Sequence, residues 1–111
     1  MRTVARGRVY SADVGHGEKP WLVISENARN RVLDSVLAVR MTTTKLDHIA
    51  SAVQLAPADH PLVGWIRIDD MEQLALDEVG REWGAVSTPT MRQVDLALHK
   101  ALGIRWCPPQ G

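Results

Sequence analysis

Three side chains with chemistry of their own crowd the stretch Gly15-His16-Gly17-Glu18-Lys19. A histidine titrates at about pH 6.5 and moves protons, a carboxylate accepts them, and an ammonium holds negative charge. Glycines flank the histidine, so the loop is flexible, and it opens into Pro20-Trp21-Leu22-Val23-Ile24-Ser25, a β-rich apolar run. A buried strand emerging from such a loop is a natural place to hold a ligand. The same residues also fit an ordinary hairpin with solvated charges, and His16 and Glu18 then simply face water. Further along, Arg40 and Thr42 close a second apolar run, and Arg67 and Asp69 end a third. A threonine hydroxyl can donate to an anion; it is equally a β-former at a strand end. Arg40 and Arg67 can join Lys19 in a basic patch, or point outward and pair with Asp69 or Asp70.

The elements that must position these groups follow from composition and periodicity. The chain has 111 residues, which fits one domain over 1–111, and 45% of it is apolar. Thirteen Lys and Arg balance thirteen Asp and Glu. A protein that holds nucleic acid by its overall field is normally basic, so a nucleic-acid ligand here needs a local basic site. With no Phe and one Tyr, Trp21, Trp65, Trp83 and Trp106 are the bulky fillers, expected mostly in the core or an interface. The single cysteine, Cys107, allows neither an internal disulfide nor a cysteine metal quartet, and points to a reducing, cytoplasmic setting. No apolar segment follows the basic N-terminus, and no apolar run nears the ~20 residues that span a bilayer, so neither a signal peptide nor a membrane association is expected.

Strands are expected over residues 7–13, with Val9 and Tyr10 on opposite faces, and over 21–25, 36–42, 49–55 and 63–69. Residues 26–31 suit one helical turn, and 71–76 a short extension of the fifth strand. Residues 57–61, bounded by two prolines, form a turn, and 79–86, bent by Gly80 and Gly84, a weak last strand. One helix is clear: Thr88 caps it, Pro89 takes its first position, Met91, Val94, Leu98, Ala101 and Leu102 form its apolar stripe, and Gly103 ends it. Short strands followed by one terminal helix give a mainly β fold, a small bent antiparallel sheet or barrel closed by a C-terminal helix.

Gly7-Arg8-Val9-Tyr10, Lys19 to Ser25 with Asn27, Val36 to Thr42, Arg67-Ile68-Asp69-Asp70 and the final helix occur in an order and spacing that resembles the MazF/PemK/Kid family of toxin–antitoxin ribonucleases. The resemblance covers nearly the whole chain. It implies an SH3-like barrel of the type shared with CcdB toxins, assembled as a homodimer, and a metal-independent endoribonuclease with no cofactor. Such an enzyme cuts single-stranded RNA at a short sequence, using the substrate's 2′-hydroxyl and leaving a 2′,3′-cyclic phosphate and a 5′-hydroxyl. An acidic, partly disordered MazE-like antitoxin peptide inhibits it. The family places a basic residue before the proline of the second strand and a threonine at the end of the third. Lys19 and Thr42 stand there and are the implied catalytic pair. His16, Glu18, Arg40, Arg67 and Asp69 are the implied substrate-binding residues.

The chain departs from the family at three points. Lys19 replaces the usual arginine, exchanging a planar bidentate fork for a point charge. Asp70 stands where glutamine is usual, and Glu72 where a basic residue is usual. Two other readings share the fold: a gyrase-poisoning toxin of the CcdB kind, echoed by Trp106 near the C-terminus, and an inactive paralogue that only binds antitoxin.

Overall fold

The computed structural model describes residues 3–105; Trp106 and Cys107, and the comparison drawn on Trp106, lie outside them. Six strands form: β1 (Arg8–Asp13), β2 (Glu18–Val23), β3 (Ser35–Thr42), β4 (Ala52–Gln54), β5 (Trp65–Ala75) and β6 (Glu82–Ala85). Helix α1 (Asn27–Leu33) joins β2 to β3, helix α2 (Thr88–Leu102) follows β6, and single 3-10 turns occupy Pro57–Asp59 and Leu76–Glu78. All pairings are antiparallel, in the order β4-β5-β3-β2-β1-β6. The outer strands do not meet, so the sheet is an open, curled barrel with a C-terminal helix, the expected class.

Alternation along the strands gives the sheet two apolar faces. Val9, Leu22, Val39, Met41, Ile66 and Ile68 form one, packed under Met91 and Val94 of α2. Tyr10, Trp21, Val23, Val36, Ala38 and Leu74 form the other, covered by Val4 and Val79. Val9 and Tyr10 thus part to opposite faces, as their spacing predicts. Each wholly buried Val, Leu or Ile is worth about 1.5–3 kcal/mol. A one-residue slip would turn out a whole set, which makes the register secure.

Several boundaries differ from the sequence expectation. The fourth strand keeps only three of its seven expected residues. Thr88 lies inside α2, and Ser87 caps it by accepting from the Thr90 N–H at 3.4 Å. Adjacent Ser and Thr are equivalent by type, and the extended backbone at Ser87 decides between them. The stripe of α2 is buried at Met91 and Val94, partly covered at Leu98, and exposed at Ala101 and Leu102. β5 runs unbroken through Asp70 because a bulge sits there: Arg40 faces Arg67, yet the preceding Val39 faces Met71. Ile68, Asp69 and Asp70 are therefore unopposed on the β3 side.

Candidate active site

The β2–β3 register, Trp21 opposite Arg40 and Leu22 opposite Val39, brings the chemistry together. Continued two residues, it sets Lys19 level with Thr42. Buried Ser25 and Asn30 hold that register where α1 begins. The Ser25 hydroxyl donates to Asn30 Oδ1 at 2.6 Å and accepts from the Leu37 N–H at 2.9 Å, while Asn30 Nδ2 donates to Ser25 O at 3.1 Å. By alternation Lys19, Arg40 and Thr42 lie on the Trp21 face of the sheet, at its uncovered end.

There a groove of about 380 Å³ opens. Glu18, Lys19 and Pro20 line it from the mouth of β2, and Arg40, Met41, Thr42 and Thr43 from the end of β3. Pro61, Leu62 and Val63 form a third side, and Trp83 of β6 closes it. The Thr42 hydroxyl accepts from the Thr44 N–H at 3.1 Å, which leaves its own proton free to donate into the groove. Gly64 makes the close approach possible. At φ +114 a side-chain carbon there would stand 2.3 Å from the Thr42 carbonyl oxygen. Lys19 is half-buried and makes no ion pair among the described residues. Glu18 is the one carboxylate on the lining.

Arg40 Nη1 lies 3.7 Å from Asp70 Oδ2, a pair created by the β5 bulge. His16 stands outside the groove, in an adjoining hollow that Lys19 and Arg40 also line. Arg67 and Asp69 are not brought to Lys19. They line a separate hollow of about 60 Å³ with Leu46, Ile49 and Ser51, where the Ser51 hydroxyl donates to Asp69. Lys19 and Arg40 share the groove, whereas Arg67, although the cross-strand partner of Arg40, lines the other hollow. Among the described residues no group of His, Cys, Asp and Glu converges in a way that could hold a metal ion.

The wall from Pro61 to Val63 was not legible in the sequence as part of a site, and neither was Trp83, which is 38% exposed rather than core. Asp59 anchors that wall. It is fully buried and accepts from the Ser87 N–H at 2.7 Å, the Ala56 N–H at 2.7 Å and the Thr90 hydroxyl at 2.6 Å. Burial pushes its carboxyl up, but the bonds from Thr90, Ser87 and Ala56 together outweigh burial and hold it below the ordinary 3.8.

Residues 5–102 match the family model of PemK-like, MazF-like toxins of type II toxin–antitoxin systems. The chain is 45% identical over 106 residues to Endoribonuclease MazF4 of Mycobacterium tuberculosis, covering 96% of this chain and 99% of that protein. A solved mycobacterial endoribonuclease in complex with its cognate antitoxin is 45% identical, with a TM-score of 0.87 over 94% of this chain and 99% of that one. A MazE–MazF complex from Deinococcus radiodurans, 19% identical over 95% of this chain and 100% of that one, has a TM-score of 0.81 and bears on the fold alone.

Proposed function

We propose a mechanism on the premise that this chain belongs to the PemK-like, MazF-like toxins of type II toxin–antitoxin systems. It is an endoribonuclease toxin, and an antitoxin is its partner. The observation that carries the site assignment is the register that sets Lys19 level with Thr42 in one groove with Arg40 and Glu18.

The scissile phosphate of a single-stranded RNA sits between Lys19, Arg40 and Thr42. The substrate's 2′-oxygen loses its proton and attacks the phosphorus. The bond from phosphorus to the 5′-oxygen breaks, and that oxygen takes up a proton. The products are a 2′,3′-cyclic phosphate and a 5′-hydroxyl, and no water is consumed. Glu18, as the carboxylate of the groove, accepts the 2′-proton. The Lys19 ammonium and the Thr42 hydroxyl meet the charge that builds on the phosphate oxygens, and Lys19 is placed to protonate the leaving oxygen. Arg40 holds the phosphate as a fixed cation, steadied by Asp70. Trp83 offers a face on which a neighbouring base stacks. An acidic antitoxin peptide lies over the same cations, and the working unit is a homodimer. Among the described residues no helix is long and apolar enough to cross a membrane.

The test is incubation with a long single-stranded RNA in EDTA, with cut sites and end groups determined. Discrete cuts ending in cyclic phosphate are expected. Lys19→Ala and Thr42→Ala each lower the rate by about 100-fold or more with the fold intact, and Lys19→Arg retains cutting. Full activity in both alanine variants would remove Lys19 and Thr42 from the site.

A further inference from the structure

Beside the groove lies a second hollow, of about 180 Å³, whose lining the cutting chemistry does not use up. Val14 and Trp21 give it apolar walls; His16, Lys19 and Arg40 supply donors, and Asp70 and Glu72 supply acceptors. We propose that this hollow reads one base of the substrate beside the cut, and that Glu72 selects a base carrying an exocyclic amino group over uracil. The inference rests on the ribonuclease reading above and names the sequence preference of the same site.

Contiguity comes first. Lys19 and Arg40 line both the groove and the hollow, so a phosphate held by them places an adjoining base within reach. Charge comes second. Two carboxylates make the hollow a poor place for another phosphate, whereas a nucleobase edge presents donors and acceptors side by side. Asp70 is engaged by Arg40, but Glu72 is exposed and has neither ion pair nor hydrogen bond among the described residues. Its β3 partner is Ala38, a small, wholly buried residue that offers it no polar partner.

An ionised carboxylate only accepts. The amino groups of cytosine, adenine and guanine donate to it, and guanine presents its N1–H and N2–H together to both oxygens while O6 and N7 face Lys19 and Arg40. Uracil presents one ring N–H between two carbonyl oxygens, and those oxygens meet Glu72 lone pair to lone pair. The donor side of the hollow is also in surplus. The indole N–H of Trp21, a residue 2% exposed, and Arg40 Nε are enclosed with no hydrogen-bond partner among the described residues. The β5 bulge, which contains Asp70 and ends just before Met71, re-aims the strand and brings Asp70 and Glu72 here.

The experiment maps cuts on an RNA pool randomised on both sides of the cleavage site, for the natural chain, Glu72→Gln and Glu72→Lys. One position beside the cut is expected to disfavour uridine by about 10–100-fold in the natural chain. Glu72→Gln, which both donates and accepts, flattens that position; Glu72→Lys shifts it toward uridine, with the other positions and the end groups unchanged. An identical base profile in all three proteins overturns the inference, as does a change spread evenly over every position, which is a field effect of charge. Glu72 variants that cut with the natural profile sink this inference alone, whereas a natural chain that cuts no RNA sinks the ribonuclease reading with it.

Discussion

One wall of the groove, Pro61 to Val63, is tied down on both flanks, whereas the opposite wall, Glu18 to Pro20 at the mouth of β2, follows a loop from Val14 to Gly17 that hangs on a single carboxylate. The fixed wall is held by the three bonds that Asp59 accepts, by the Leu62 N–H donating to the Asp59 carbonyl at 2.8 Å, and by Gly64 packed on Thr42. In the loop, Asp13 Oδ1 accepts from the Gly15 N–H at 2.8 Å and the Gly17 N–H at 3.1 Å, and both glycines have positive φ. The fixed wall carries little chemistry and sets the shape. The wall beside the loop carries Glu18 and Lys19, whose backbones are paired with Asp13 and Ala12 of β1 and whose side chains must adjust as charge moves through the reaction. Rigidity and reactivity are thus divided between two sides of one groove.

The sharpest way to break this contrast is Gly64→Ala. The added carbon meets backbone at 2.3 Å and the φ of +114 disfavours any side chain. The expected result is a loss of about 3 kcal/mol or more in denaturant unfolding, with cutting abolished. Asp59→Ala comes next. Removing the acceptor of three bonds costs about 2–4 kcal/mol and lowers cutting through the displaced wall, which a binding measurement with uncleavable RNA registers as weakened affinity.

The pH dependence separates the charge of Asp59 from its shape. Its carboxyl lies below its ordinary value in the folded chain, so its contribution to stability is fully present above the unfolded value of 3.8 and is lost as pH falls through the lower folded value. Asp59→Asn is expected to lose that part of the acid dependence in unfolding scans from pH 5 to pH 2. Smallest is Gly17→Ala in the loop beside the adjustable wall. A carbon there meets nothing within 4 Å, so only the backbone at φ +86 resists, at about 1 kcal/mol. The melting temperature is expected to shift by a few degrees at most, and kcat to fall more than stability does. A large loss of stability here would contradict the division of labour between the walls.

What the sequence shows of this site, and what it conceals, follows the range of the interactions. Lys19 with Pro20, and Thr42 at the end of an apolar run, announce themselves locally, and the resemblance assigns them together. Tyr10 against Val9 and the stripe of α2 at Met91 and Val94 are likewise local periodicity. Asp59 is different: between two prolines it looks like a turn residue, because Ser87 and Thr90 lie some thirty positions on. Trp83 resembles a core filler until β6 places it on the rim. The bulge at Ile68–Asp70 breaks the alternation of β5, so spacing alone gives 63–69 as the strand and 71–76 only as its extension. It also brings Asp70 rather than Asp69 to Arg40, a choice that spacing leaves open.

The bonds from Ser87 and Thr90 to Asp59 carry a consequence for the order in which the chain is made. Ser87 and Thr90 are made some thirty residues after Asp59, and Trp83 just before them. Arg6 likewise waits for its ion pair with Asp95. Until these late residues arrive, Asp59 lacks two of its three bonds and the groove has no closing side. A nascent chain therefore presents Lys19, Arg40 and Thr42 before Trp83 closes the groove around them.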